Sequence, residues 1–396
     1  MYDITIIGGG ILGLATGYNL LKKNPSLKLN ILEKEPRVGQ HQTGNNSGVI
    51  HSGIYYKPGS LKAINCRKGI KKLIDFCIEF NIPYDICGKL IIATNNDEIK
   101  TLDMLENRGI DNGIKGLKKL SSNQILDFEP HVSGLAGLYC PETGIVDYLQ
   151  VCEKLSDFIK KKAEIKLENK VIDIINDNES ILVSTSEEEY RTQFIINCAG
   201  LFSDKVAELS GFKRDLRIIP FRGEYYMLKK ESRYLVNNLI YPVPDPRYPF
   251  LGVHFTRTIN GNIEAGPNAV LAWSREGYTK TSINFNHVWD YLSYKGFWRM
   301  AGKYWSTAVG EYYRSFSKKA FVSALQKLIP EISEDDIYES PSGVRAQALS
   351  QNGSLIDDFV IRKSNKMLHV INAPSPAATS SFSIGDHLSN LYEENI

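Results

Sequence analysis

The chain opens with Ile4-Thr5-Ile6-Ile7, then Gly8-Gly9-Gly10-Ile11-Leu12-Gly13, then Leu14, Ala15, Tyr18 and Leu21 at helical spacing, then Leu29-Asn30-Ile31-Leu32 ending in Glu33. Strand, glycine turn, helix and strand within about 30 residues form a βαβ unit, which belongs in a parallel sheet flanked by helices. Each glycine has a separate task. Gly8 permits the tight turn, Gly10 lets a pyrophosphate approach the backbone, and Gly13 lets the helix pack closely on the strand. The phosphates then face the helix N-terminus. Glu33 is placed to accept hydrogen bonds from ribose hydroxyls. A glycine-rich turn beside a surface glutamate is the plain alternative, and it leaves the agreement among these parts unexplained.

At 396 residues the chain is long enough for two domains. With 42% apolar and 23% charged residues it can bury a core, which excludes wholesale disorder. Lys and Arg number 47 against 45 Asp and Glu, so no chain-wide basic field points to nucleic acid. The six cysteines (Cys66, Cys77, Cys87, Cys140, Cys152, Cys198) form no C-x-x-C pair and read as reduced and buried. No apolar run reaches the roughly 18–20 residues that span a bilayer, and no signal-peptide pattern precedes the first strand. A cytoplasmic protein is expected. Neither metal-ligand spacing nor a Ser-His-Asp order is present.

Between Gly39 and Gly53, four glycines alternate with Gln42, Thr43, Asn45, Asn46, Ser47, His41 and His51. Such a stretch offers backbone N–H groups and small side chains to a ligand lying along it. FAD, with a ribityl chain and a flat ring to support, suits this better than NAD; an irregular connection is the alternative. A helix is expected from Leu61 to Phe80, and strands at 89–93, 137–139, 171–175, 181–183, 194–197, 225–228, 239–243, 250–255 and 368–371. The run ending in Cys198-Ala199-Gly200 again allows close approach to a nucleotide. The order implies an α/β fold with a discontinuous nucleotide-binding domain (1–85, 145–215, 335–396) interleaved with an α+β substrate domain (86–144, 216–334).

Several stretches carry a family likeness: His41-Gln42-Thr43-Gly44, Asn46 through Tyr56, Cys87-Gly88-Lys89-Leu90, Thr143 through Tyr148, Pro220-Phe221-Arg222-Gly223, Gly343-Val344-Arg345-Ala346-Gln347 and Asn372 through Ser381. The chain resembles the FAD-dependent oxidoreductases related to D-amino-acid oxidase, and among them the L-2-hydroxyglutarate oxidase/dehydrogenase branch. Asn45 stands where that branch usually has histidine, and Arg257-Thr258 replaces its Pro-Arg. The resemblance implies a Rossmann-type FAD domain and a substrate domain whose antiparallel sheet roofs the flavin. It also implies oxidation of a 2-hydroxy acid to a 2-oxo acid. The expected cofactor contacts are Gly8, Gly10, Ile11, Leu12, Gly13, Glu33, Lys34, His41, Thr43, Asn46, Ser47, Gly48, Val171, Ala199, Gly200, Ser375, Pro376, Ala377, Ala378 and Thr379. Ser375 reads as the N-cap of the last helix and Pro376 as its first residue.

Oxidising a secondary alcohol beside a carboxylate needs a hydride acceptor, a base and a carboxylate clamp. His254, in an apolar strand of the roofing sheet, is the first choice of base, with a satisfied core histidine as the alternative. His51 is the second, with a role in holding the flavin equally open. Arg345 is the candidate clamp, since guanidinium and carboxylate fit bidentately; a structural ion pair is the alternative. A dicarboxylic substrate needs a further contact, for which Lys57, Lys89, Tyr55, Tyr241 and Arg257 qualify.

From Trp289 to Trp305, three tryptophans and several tyrosines lie beside Lys295, Arg299 and Lys303. This composition suits a helix lying on the inner face of a membrane, where electrons could reach a quinone; otherwise they pass to oxygen. A hairpin packing its aromatics inward is the competing reading. An amine or amino-acid oxidase of the same fold and a flavin-binding protein without turnover are the competing functions.

Overall fold

The computed structural model describes residues 1–177, 179–245 and 251–395. The first strand, Tyr2–Ile7, lies at the centre of an eight-stranded sheet, parallel to Leu29–Leu32 on one side and to Glu189–Asn197 on the other. Met367–Asn372 runs parallel to Glu189–Asn197 in turn. Their carboxyl ends meet along one edge, the place where open α/β sheets bind ligands. Gly8, Glu33, Cys198-Ala199-Gly200 and the turn from Ala373 each follow one of these four strand ends. The helices Ile11–Lys23 and Ala377–Glu393 pack on this sheet around Ile4, Leu14, Leu21, Leu368 and Leu388.

Gly13 shows why the opening turn is so constrained. A Cβ there would lie 2.0 Å from the Gly8 carbonyl oxygen. Gly8 itself has φ +111°, and a Cβ on it would meet the Cys198 carbonyl at 2.5 Å. The close packing of strand, turn and neighbouring strand therefore tolerates only glycine at both positions.

A second, nine-stranded sheet is mainly antiparallel. Its longest ladder joins Leu216–Leu228 to Ile337–Ser350. Residues 335–350, expected with the nucleotide-binding part, thus contribute a strand to the large sheet instead. The driving force is a 12-pair register that sequence periodicity on one strand cannot reveal. The other strands include Lys89–Ala93, Leu239–Pro242, His254–Arg257 and Ile263–Gly266. The strand expected over 250–255 begins only at His254; Phe250 lies outside the described residues. A small three-stranded sheet joins Val49–Ile50, Gly144–Val146 and Tyr84–Asp85.

The aromatic zone divides between the two readings given above. Tyr291, Tyr294, Phe297 and Met300 pack beneath the large sheet against Ile219 and Leu349. Trp289, Trp298 and Trp305 remain exposed. All six cysteines are free, five of them buried and Cys87 half-buried. No helix among the described residues is long and apolar enough to cross a membrane.

Replacing Gly13 with alanine forces helix and turn apart, at a cost of about 1–3 kcal/mol, as for other overpacked sites. A urea unfolding series should show the Gly13→Ala midpoint clearly lowered; an unchanged midpoint would contradict the packing described.

Candidate active site

Between the strand edge and the large sheet lies a cavity of about 1470 Å³. Its nucleotide end is built from the loops that follow the parallel strands. Of the expected cofactor contacts, eighteen line it, from Gly8, Gly10, Ile11 and Leu12 to Ser375, Pro376, Ala377, Ala378 and Thr379. Gly13 and Gly48 do not. Gly13 serves packing, and Gly48, at φ +68°, lets the loop cross the Val146 carbonyl, which a Cβ would approach to 2.7 Å.

The residues present fit a dinucleotide. Helix Ile11–Lys23 starts at Gly10, whose own position offers no capping side chain; the Ile11 amide donates to Thr43 Oγ1 at 3.1 Å, and the positive end of the helix opens into the cavity. A Cβ at Gly10 would meet only Thr43 Oγ1 at 3.5 Å and otherwise project into free space. Glu33 accepts from the Gly9 and Glu35 amides at 2.6 and 3.0 Å, which fixes its carboxylate at the strand end. Burial raises its pKa, with the two amides opposing.

His41 plays a different part from the one expected of a plain cofactor contact. It joins Glu35, Glu276 and Lys34 in an ion-pair cluster and donates to or accepts from Tyr278 at 2.9 Å. Glu35, His41 and Glu276 have the spacing of a cation site. The Lys34 ammonium, bonded to both glutamates, already supplies the cation. The final helix begins at Ala377, preceded by Pro376, and Ser375 does not cap it. Ser375 falls one residue before the N-cap position, beside the Tyr56 hydroxyl.

The opposite end of the cavity is roofed by the large sheet through Phe221, Gly223, Tyr225, Tyr241, His254 and Arg345. His254 stacks on Tyr241 with centroids 4.0 Å apart, and its Nδ1 lies 2.8 Å from the Gly252 carbonyl. A carbonyl only accepts, so Nδ1 carries the proton and Nε2 the lone pair. Burial pushes the His254 pKa down to about 4, the Lys89 charge adding to the effect. His51 reaches the same cavity, with Nδ1 buried and without a partner, and burial takes it down to about 3. Arg345 is half-buried, close to Asp357, Tyr56 and Tyr225; burial lowers its pKa and these groups oppose that.

Tyr55 and Tyr241 line the cavity, but Lys89 does not. Lys89 lies beneath their rings, 4.3 and 4.8 Å from the two centroids, and burial lowers it to about 8. As a strand residue its side chain takes the sheet's inner face, where the aromatic rings cover it. Arg257 is held by Asp85 and Asn238, away from the cavity, as is the exposed Lys57. Of the two departures from the branch pattern, only Asn45 lines the cavity, donating to the Gln40 and His41 carbonyls. Sequence reasoning missed Lys62 and Tyr225, which no local motif distinguishes, and gave no role to Tyr56, the last residue of a family stretch.

Comparison with known proteins decides the family. The model for "FAD dependent oxidoreductase" matches residues 3–391. The chain belongs to the FAD-dependent oxidoreductases. It is 53% identical over 97% of both chains to a protein of Indibacter alkaliphilus named L-2-hydroxyglutarate dehydrogenase. A human protein named L-2-hydroxyglutarate dehydrogenase, mitochondrial, is 45% identical, over 99% of this chain and 89% of its own. Among solved structures, an L-alpha-glycerophosphate oxidase from Mycoplasma pneumoniae with FAD bound superposes with a TM-score of 0.80 at 24% identity, covering 99% of this chain and 94% of its own. This flavoenzyme therefore takes FAD as its cofactor.

The glycines of the turn should separate by task. Gly10→Val leaves the apoprotein's stability within about 0.5 kcal/mol, as for substitutions that meet no packed neighbour. Titration with FAD, followed by flavin fluorescence, should nevertheless show at least about tenfold weaker binding, equivalent to 1.4 kcal/mol. Equal affinity would place the phosphates elsewhere.

Proposed function

We propose that this flavoenzyme oxidises L-2-hydroxyglutarate to 2-oxoglutarate. The observation that carries the reading is the arrangement of His254 and Arg345 on one roof. His254 presents an unprotonated Nε2, held by the Nδ1–Gly252 bond, in the same cavity as the half-buried Arg345 guanidinium. The relatives named L-2-hydroxyglutarate dehydrogenase at 45–53% identity support the choice of substrate.

In this reading, Arg345 binds the C1 carboxylate bidentately and thereby fixes the position of C2. His254 Nε2 takes the proton of the C2 hydroxyl, and the ring's tautomer is already the required one. FAD, when bound, supplies the acceptor for the hydride leaving C2. Gly8, Gly10 and the first turn of helix Ile11–Lys23 hold its pyrophosphate, Glu33 its ribose, and the Ser375–Thr379 turn the flavin end. Tyr241, stacked on His254, keeps the imidazole plane fixed and excludes water from one of its faces. Lys89 beneath the tyrosines disfavours a charged imidazole at both histidines, which keeps the base ready at neutral pH.

The electron acceptor is proposed to be a quinone reached at a membrane surface. Helix Lys295–Phe316 exposes Trp305, Val309, Tyr313 and Phe316, spaced by four, four and three residues along one face. Trp289 and Phe285 extend the surface, at 73% and 82% exposure. From Trp289 to Lys319 six basic residues face two acidic ones, a composition suited to an anionic bilayer. Flotation with vesicles of phosphatidylcholine and phosphatidylglycerol should carry the protein upward at low salt, and Trp305→Glu with Phe316→Glu should leave it in the soluble fraction. Wild-type protein that stays soluble would overturn the membrane reading. Rapid oxygen uptake on substrate addition would replace quinone by oxygen.

Anaerobic mixing with L-2-hydroxyglutarate should bleach the flavin, and His254→Asn should slow that step at least about 100-fold, as for loss of a general base. Reduction at the wild-type rate would remove His254 as base. The base works unprotonated, so activity is lost as pH falls through its folded-state pKa. With that value near 4, kcat/KM should stay flat on its acid side from pH 7 to pH 5. A decline centred near the ordinary histidine value would mean a differently placed base.

A further inference from the structure

A five-carbon diacid brings two carboxylates to the cavity, and Arg345 accounts for one. Among the described cations lining the cavity, Lys34 is engaged in the glutamate cluster at the nucleotide end, Lys205 pairs with Glu208 and Asp290, and Lys170 is exposed beside the nucleotide-end strand Val171–Asn176. Arg275 is saturated by Asp204, Asp290 and the Leu201 carbonyl. Arg108 donates to the Tyr55 carbonyl. Lys62 differs from these. It is buried, lines the cavity, and its Nζ is bonded at 2.7 Å to Asp357, whose side chain is 89% exposed.

Lys62 also sits against the electrostatic preferences of its own element. It is the second residue of helix Leu61–Glu79, where the helix end is positive and an anion is favoured. Burial lowers its pKa, and the Arg345 charge acts in the same direction, so the two cations share one corner of the cavity. Tyr56 links them: Lys62 Nζ lies 5.0 Å from the centre of its ring, and its hydroxyl senses the Arg345 charge. A lysine buried beside another cation and bonded to an exposed carboxylate goes beyond what structural support requires.

We propose that Lys62 binds the second carboxylate of the substrate, exchanging its bond to Asp357 for one to the incoming diacid, and so selects dicarboxylic over monocarboxylic 2-hydroxy acids. The exchange is favoured by asymmetry of exposure. Asp357 returns to water at little cost, since exposed ion pairs contribute little. Lys62 stays in a water-poor site, where a charge-assisted hydrogen bond is strong. The inference rests on the substrate reading above and adds to it the residue that reads chain length and second charge.

The test compares wild-type holoenzyme with Lys62→Met, Lys62→Arg and Asp357→Asn on L-2-hydroxyglutarate and L-2-hydroxybutyrate. In Lys62→Met the ratio of kcat/KM for diacid over monoacid should fall at least about tenfold, the factor expected for losing one hydrogen bond to a charged group. Lys62→Arg should keep most of the ratio. Asp357→Asn, which removes only the competing carboxylate, should raise the ratio and remains informative even if Lys62→Met fails to fold. Calorimetry with glutarate, which has no hydroxyl to oxidise, should show the same loss on Lys62→Met, with butyrate far less affected. An unchanged ratio, or glutarate binding equally to wild type and Lys62→Met, would overturn the proposal. If wild-type flavin is not reduced by L-2-hydroxyglutarate, the substrate reading falls, and glutarate binding still decides on Lys62.

Discussion

The cavity exists because two sheets are held apart and aligned by a buried charge network at one end of it. Asp204, on the helix that follows the glycine turn after Asn197, receives Arg275, Arg214 and the Ile218 amide. Asp290, from the aromatic helix Phe285–Leu292, binds Arg214 and Arg275 as well. Arg275 and Asp204 are both 1% exposed. Charges removed from water this completely persist only when each is matched in geometry, because an unmatched one costs several kcal/mol. The nearby guanidinium groups keep both carboxylates ionised against the effect of burial. The network is therefore directional: it fixes the nucleotide-end helix, the entry of the long strand Leu216–Leu228 and the segment around Arg275 relative to one another. The depth of the cavity follows from that.

The same network ties the exposed aromatic surface to the cavity wall. Trp289 faces solvent and its neighbour Asp290 anchors the Arg275 cluster. Arg275 is in turn one of the residues that line the cavity. The exposed aromatic Trp289 and a wall of the cofactor cavity thus share a connection through one helix. Apolar packing alone would leave that helix free to slide, since apolar contacts are not directional.

What was legible in the sequence was local. The fingerprint from Ile4 to Glu33 contains its own context, because adjacent residues dictate strand, turn and helix. Periodicity located helix Leu61–Glu79 and most strands for the same reason. The family match over residues 3–391 agrees with the FAD reading that the glycine loop had suggested. The misplacements arose where distant residues decide. Ile337–Ser350 joined the large sheet because its partner lies more than 100 residues earlier. The last helix starts one residue later than Ser375 as N-cap would require, and Lys89 was covered by rings from two other segments. Lys62 had no signal of its own: it acquires meaning from Asp357 and Arg345, nearly 300 residues downstream.

The nearly neutral chain can bind small anions because charge is sorted by burial and not by total. Most of the exposed acids and bases neutralise one another at contacts of modest strength. Inside, the pairing is uneven. At the network, Arg214 and Arg275 each bond both Asp204 and Asp290, and Arg217 and Lys205 add to Asp290, so both carboxylates are engaged by protein cations. At the opposite corner, Lys62 bonds one aspartate that water already surrounds, with the Arg345 charge nearby. The two places differ in whether the carboxylate facing the cation is buried, and only an exposed one can be exchanged for water at little cost.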